Sequence, residues 1–211
     1  GFILTLCIIG VIYGSILALK QDNIKRFIAY ASLAHVGVIA AGAYSLSYDG
    51  ILGAVLLIVA HAFGIAALFY SSEIIYQRTS TAKISEMGGF RTSAPFFSIV
   101  FLVTILAAIS LPLSLNFLGG VAIMFGLYEI SIWYAILVGT AMFLGAFYML
   151  RMYQHVMLGE LKSHTIADLK GGEYAVYALL ILVLVIFGFY STPLTDLVKP
   201  SLENIVTYIN R

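Results

Sequence analysis

Long apolar runs separated by short polar turns organise this chain. Phe2 to Leu19 carries no charge and stops at the turn Lys20-Gln21-Asp22-Asn23. A second run extends from Ile24 to about Ser47. Asp22 or Asn23 suits its N-cap, because a short polar side chain accepts from the orphan N–H groups of a first helical turn. The turn Ser47-Tyr48-Asp49-Gly50 is short enough to make the second and third runs antiparallel neighbours. The third, at about 51–76, ends in the polar connection Gln77 to Ala94. Pro95 then opens a charge-free stretch to Tyr128 and sits where a missing N–H costs little. Leu111-Pro112-Leu113-Ser114-Leu115-Asn116 interrupts that stretch. Pro112 frees a carbonyl one turn earlier, and inside a bilayer that carbonyl must be met by Ser, Asn or water. Two further runs lie at about 132–153 and 174–190, with the polar loop Gly159 to Glu173 between them, and a surface helix is expected near Leu202 to Ile209.

Runs of about 20 apolar residues, rising ~1.5 Å each, cross a hydrocarbon core of ~30 Å as helices. The composition agrees: 62% of residues are hydrophobic and 10% charged, where soluble domains carry ~25% charged residues. The predicted fold is therefore an all-α integral membrane protein, one transmembrane domain over residues 1–211. Its six transmembrane helices lie at about 2–19, 24–47, 51–76, 95–128, 132–153 and 174–190, the fourth discontinuous around Pro112. With one crossing for 95–128, Lys20, Lys25, Arg26, Arg78, Lys83, Arg91, Arg151, Lys162 and Lys170 fall on one side, and Lys199 and Arg211 on the other. The positive-inside rule makes the first side cytoplasmic. Trp133, Tyr134 and Tyr153 suit the interfacial aromatic belts. The single cysteine, Cys7, can form neither an internal disulfide nor a metal cluster and is expected to pack as a small apolar residue. No basic cluster interleaved with aromatics suggests nucleic acid. The chain opens at Gly1 directly in apolar residues, which reads as a piece lacking an N-terminal part.

Chemistry concentrates on few residues. His61 lies near the middle of the third helix, where an ionisable group usually faces a protein interior or a hydrated cavity and belongs to an ion or proton path. The plainer alternative is a neutral histidine satisfied by one bond to a neighbouring helix. His35 lies ~15 Å deeper than Lys25 on the second helix, so two adjacent helices each place a histidine near mid-membrane, and contact between them is plausible. Lys25 and Arg26 sit in a first helical turn, where basic residues are poor partners for the dipole; anionic lipid headgroups or a functional lysine would explain them. Glu73 is expected to form a structural ion pair with Lys25 or Arg78, a channel role being the alternative. His155 and His164 fall where solvated histidines are unremarkable. Gly37, Gly42, Gly64, Gly119, Gly126 and Gly145 are read as close-packing positions between helices.

Asp22-Asn-Ile-Lys-Arg-Phe-Ile-Ala-Tyr-Ala-Ser32, followed by Ala34-His35-Val-Gly37, resembles the D-I-K-R-x-I-A-Y-x-S-x-x-H-x-G signature of the M-subunit (chain 4) family of proton-translocating NADH:quinone oxidoreductase, respiratory complex I. Ala60-His61-Ala-Phe-Gly-Ile-Ala-Ala-Leu-Phe69 is similar to that family's histidine helix, Ser85-Glu86-Met87-Gly88-Gly89 to its loop, and Asn116-Phe117-Leu118-Gly119 to the start of its broken helix. Related L-type and cation/proton-antiporter D subunits usually carry a lysine four residues after the counterpart of His61, where this chain has Ile65. The resemblance implies a subunit of fourteen helices in two inverted repeats, of which this chain would hold roughly the last six. It implies Lys25, His35 and His61 on or beside a polar axis, with other membrane subunits of complex I and the lipid bilayer as partners, in a bacterial inner membrane. FMN, iron–sulfur clusters, NADH and quinone would be bound by other subunits; no cysteine cluster or dinucleotide-binding turn in this chain argues otherwise.

One departure matters. Where the family continues into a glutamate and a phenylalanine after the glycine matching Gly119, this chain has Gly120 and Val121. The missing acid is the family's carboxylate in the broken helix. The expected function is a membrane-arm subunit of NADH:quinone oxidoreductase carrying part of a proton channel. Its rivals are a non-conducting structural subunit, which the Gly120 departure supports, and a subunit of a multisubunit Na+/H+ antiporter or membrane-bound hydrogenase.

Overall fold

The computed structural model describes residues 1–162 and 165–209. The helices are α1 (Phe2–Leu19), α2 (Ile24–Tyr44), α3 (Tyr48–Thr79), α4 (Phe90–Ser93), α5 (Pro95–Ala108), α6 (Leu115–Tyr128), α7 (Ile132–Met157), α8 (Gly171–Phe189) and α9 (Thr192–Ile209). A 3-10 turn, Ile84–Glu86, precedes α4, and an isolated bridge joins Asn23 to Lys83. Five helices, α1, α2, α3, α7 and α8, are long and apolar enough to cross a membrane. Large side chains such as Phe143, Trp133, Phe125 and Leu179 face outward, as a lipid-embedded or partner-covered surface requires. The chain is an integral membrane protein.

The fourth run is two helices. α5 and α6 have 14 residues each, so each reaches ~21 Å, short of the ~30 Å hydrocarbon core. They lie end to end along α3. Phe97, at the start of α5, packs on Tyr177, whose hydroxyl meets Ser71 Oγ at 2.7 Å. At the break, Ala108 and Asn116 both reach the level of Gly64. Gly126, near the end of α6, packs on Gly50 at the start of α3. That α6 backbone can approach so closely is due to glycine on both helices: a Cβ on Gly53 would come within 2.6 Å of Gly119 O and Ile123 N, and one on Gly119 within 2.9 Å of Leu57 N. Gly64 does not share that role, since nothing lies nearer than 3.9 Å to where its Cβ would stand, and Gly145 has only ordinary contact at 3.6 Å.

Several boundaries differ from the sequence pattern, each for a local reason. α2 ends at Tyr44, three residues early, because Leu46 takes a left-handed φ of 57°. α3 begins at Tyr48, since Ser47 Oγ accepts from Gly50 N and Asp49 complements the helix dipole. It continues to Thr79 and stops where Ser80 turns left-handed. α7 continues to Met157, with Met152, Val156 and Met157 buried. α8 begins at Gly171 because Glu173 Oε2 accepts from Lys170 N at 2.7 Å. The expected short surface helix is the longer α9, which packs on α3 and passes through Pro200.

Of the two expected caps for α2, Asn23 does the work: its Oδ1 accepts from Lys25 N and Arg26 N at 3.0 and 3.1 Å. Asp22 instead accepts from Ser85 N and Ser85 Oγ at 2.8 and 2.7 Å, tying the loop after α3 to the α1–α2 turn. The Ser85 hydroxyl holds the Asp22 carboxyl below its usual range. Asp168, reaching from the loop after α7, accepts from Phe96 N and Phe97 N and caps α5. Arg78 donates to both Glu173 carboxylate oxygens and to Ala167 O. Lys162 Nζ donates to Ser85 O. Most of the basic residues that the sequence assigns to one side are thus gathered at one end, called below the Lys20 end.

Candidate functional site: two histidines over a broken helix

His35 on α2 and His61 on α3 stack, with ring centroids 5.4 Å apart and planes inclined by 19°. Both are half-buried. α2 and α3 pack as neighbours because the Ser45–Ser47 turn joins them directly, which brings the two mid-helix positions to one level. His61 Nε2 is 2.8 Å from Ser32 Oγ, one turn before His35 on α2. His35 Nδ1 lies 3.1 Å from Ala31 O, and the ring faces Ala108, at the end of α5, across a small shared cavity. A neutral imidazole carries one N–H and one acceptor nitrogen, an imidazolium two N–H groups. Two imidazoliums stacked this closely would repel, so the pair holds at most one extra proton.

The helix break supplies the acceptors. Ser110 and Leu113 adopt left-handed φ values of 60° and 79°, a conformation that costs non-glycine residues ~1–2 kcal/mol each. Three of the last four carbonyls of α5 are nonetheless met. Ile105 O accepts from Ile109 N at 2.9 Å, and Leu106 O from Leu111 N at 3.2 Å. Ala107 O accepts from Asn116 Nδ2 at 2.9 Å. Ala108, whose carbonyl Pro112 frees, borders the small cavity that His35 also lines. Of the groups that could satisfy this break, Asn116 is the one used, and it is buried at 1% exposure. Ser114 Oγ accepts from Phe117 N and starts α6.

His35, His61, Gly64, Ala108 and Asn116 share a cavity of about 10 Å³, room for about one water with several polar partners. A second cavity of about 10 Å³ lies on the other side of His35, among Val11, Ala34, Met142 and Tyr148.

Lys25 is not brought to this pair. Its Nζ sits 2.6 Å from Glu73 Oε2 and 4.4 Å from the Tyr76 ring centroid, at the Lys20 end. Glu73 is twelve residues beyond His61, ~18 Å along α3. Of the two partners proposed for Glu73, Lys25 takes it and Arg78 takes Glu173. Gly120 is buried one turn beyond Asn116, and a Cβ there would run into the terminal methyl of Met142. His155 is exposed and bonds its own helix at Arg151 O; His164 lies outside the described residues. Sequence reasoning passed over Ser32 as the partner of His61, and Tyr148 in the wall of the second cavity. Ser32 carried a signal, being one turn before His35 on the same face. Tyr148 carried none, as one of 14 tyrosines.

Residues 1–147 match the family model described as NADH:quinone oxidoreductase/Mrp antiporter, TM. The chain belongs to that family. Among its curated relatives, subunit M of the NADH-quinone oxidoreductase of Mycobacterium tuberculosis is 37% identical over 99% of this chain. That of Rhodobacter capsulatus is 31% identical over 97%. The chain spans 38% and 41% of the lengths of these two relatives. Among solved structures, respiratory complex I from Thermus thermophilus with bound NADH contains a chain that matches with a TM-score of 0.93 and 29% identity, over 98% of this chain and 44% of that one. A chain of the Mrp complex from Dietzia sp. matches with a TM-score of 0.83 over 98% of this chain and 48% of that one; at 16% identity it shows the fold alone. The family resemblance read from Asp22–Gly37 and from the His61 helix is thus upheld, and the subunit M relatives favour the M type.

Proposed function

We propose that the chain is part of the membrane arm of a bacterial NADH:quinone oxidoreductase, in the cytoplasmic membrane, and carries a segment of a proton path coupled to electron transfer in other subunits. The redox groups, FMN, iron–sulfur clusters, NADH and quinone, belong to those other subunits. The observation that carries the reading is the stacked His35–His61 pair set over the unwound end of α5. A proton arriving at His35 has Ala31 O as its acceptor; passing through the shared cavity, it reaches His61, whose other neighbour is the Ser32 hydroxyl. Histidine can take a proton on one ring nitrogen and release it from the other. Ala108 and Asn116 line that cavity only while α5 is broken as described, so a shift of the break changes the surroundings of the pair. That gives electron transfer elsewhere a mechanical handle on the site. Lys25 and Glu73, partly open to water, form a charged pair at the cytoplasmic mouth.

The second reading is a structural subunit that does not conduct, and Gly120 favours it: Met142 fills the position where the family places an acid. His61→Ala in the full-length subunit within its assembled complex decides between them. The expected result is fewer protons pumped per NADH oxidised, with assembly and oxidation preserved, because a relay group is lost while packing loses one ring. Parental pumping by the assembled variant would refute conduction through this pair.

A further inference from the structure

A cavity of about 320 Å³ opens at the Lys20 end between α1 and α7, with Lys20, Asp22, Arg151 and His155 at its rim and Leu19 and Met152 in its walls. Its charges are not balanced within the described residues. Lys25, Arg78 and Lys83 each have a carboxylate oxygen within 3.0 Å, and Lys162 donates to Ser85 O. Neither the Lys20 ammonium nor the Arg151 guanidinium has an ion pair or hydrogen bond among the described residues, and both residues are exposed. The one acid on the rim, Asp22, is already committed. It accepts from Ser85 N and Ser85 Oγ, and the Ser85 hydroxyl, with Lys83 and Lys162 further off, holds its carboxyl low. Two cations thus stand unanswered over a space whose deeper walls are apolar.

What lies below the rim narrows the ligand. Arg151 ends a row on α7 at helical spacing, Phe143, Phe147 and Arg151, whose phenylalanines are 76% and 52% exposed. Lys20 follows a similar row on α1, Ile12, Ile16 and Leu19, all exposed. Each row leads away from a residue of the cavity lining, and the two helices are packed neighbours whose far ends meet where Thr5 Oγ1 lies 3.4 Å from the Tyr134 hydroxyl. An apolar seam that runs into the bilayer and ends in two unpaired cations at the water boundary has the polarity of a phospholipid, acyl chain below and phosphodiester above. A soluble anion would use the cations and leave the seam bare. The basic residues place this end at the cytoplasmic leaflet, where anionic lipids concentrate and where basic pockets between membrane helices hold acidic headgroups. We infer that this cavity seats the headgroup of an acidic phospholipid, its phosphate between Lys20 and Arg151 and one acyl chain along the α1–α7 seam. Such a lipid binds whether or not the histidine pair conducts.

The test uses the full-length subunit within its assembled complex, stripped of native lipid in detergent and reconstituted into phosphatidylcholine vesicles. The vesicles carry, at the same low mole fraction, a tail-diazirine form of either phosphatidylglycerol or phosphatidylcholine, and the peptides labelled on illumination are mapped by mass spectrometry. In the parent, phosphatidylglycerol should label 12–19 and 143–152 roughly 25-fold more than phosphatidylcholine does, and Lys20→Gln or Arg151→Gln should each lower that excess about fivefold, the worth of one basic side chain at an anionic surface. Lys199→Gln, assigned to the opposite side, should leave it unchanged. Both rim side chains are exposed and unpaired, so neither substitution removes a contact within the bundle; if one variant fails to assemble, the other decides alone. A parental excess in the rim variants overturns the site. Equal labelling by the two lipids in the parent means an ordinary lipid annulus, and no labelling by either means that protein covers the seam; each overturns it. Loss of the excess on adding inorganic phosphate, but not chloride at equal ionic strength, assigns the cations to a soluble anion and overturns the lipid.

Discussion

Replacing Gly64 with alanine should separate stability from proton transfer. In most of this bundle the same change is ruinous: at Gly53 the added methyl would lie 2.6 Å from two α6 backbone atoms, which cannot yield without parting the helices. At Gly64 the nearest atoms, Ala108 Cβ and Asn116 Nδ2, are 3.9 Å away, an ordinary contact distance. The methyl therefore fits, and the helix gains up to about 1 kcal/mol from the better propensity of alanine. What it fits into is the cavity of about 10 Å³ shared with His35, His61 and Asn116, which holds about one water. A cavity of that size cannot hold both. Losing the water leaves a gap where a hydrogen-bonded chain ran, and positioned proton transfer of this kind is worth roughly 100-fold or more in rate. In vesicles carrying the assembled complex with a pH-sensitive dye inside, Gly64→Ala should acidify the lumen less per NADH oxidised. Thermal inactivation of the same preparation should be unchanged or later. Parental pumping would show that no water in this cavity serves the path; early inactivation would show that the steric reasoning at Gly64 is wrong.

The Asp22–Ser85 clamp should be insensitive to pH through the physiological range. Its carboxyl is held low by the Ser85 hydroxyl, so its contribution is complete above the unfolded carboxylate value of ~3.9 and is lost only as pH falls through the lower folded value; hydrogen exchange in 80–90, corrected for intrinsic rate, that already rises at pH 6 would refute this. Gly120→Glu should raise pumping if the missing acid limits the path, since only the flexible end of Met142 stands in the way; an assembled variant with no gain would favour the structural reading of the outer half.

Membrane helices are legible in a sequence because the bilayer demands long apolar runs with no exceptions, and α1, α2, α3, α7 and α8 followed that pattern to within a few residues. The break was legible for the same reason: Pro112 in a charge-free stretch predicts freed carbonyls, and Ser and Asn nearby predict how they are met. What the sequence could not show is which groups do so. Asn116 takes the Ala107 carbonyl, and His35 faces Ala108 across the small cavity, a choice made by the approach of α2 and α6 to the break. Lys25 shows a different limit. Helical rise already puts it ~15 Å from His35, and only the structure shows which of its neighbours takes it, Glu73 at 2.6 Å. Tyr148 was illegible because its interest depends on two cavities, and cavities belong to packing rather than to pattern.

The two halves of the site are built differently, and the difference follows from the glycines. From the Lys20 end to His35, a rim of charged groups, a cavity of about 320 Å³ and one of about 10 Å³ succeed one another, both lined by Tyr148. From Asn116 outward, α6 lies backbone to backbone on α3, and the buried side chains beside it are Leu57, Ile123, Leu127 and Val38, with Met142 over Gly120. The next buried or capping polar groups among the described residues are Ser45 and Ser47 in the α2–α3 turn. A close-packed helix pair excludes water as efficiently as it gains dispersion contacts. Outward passage through this part of the chain would thus require α6 to move off α3, and the break at Ser110 to Ser114, with two residues already in left-handed strain, is where such a movement would hinge.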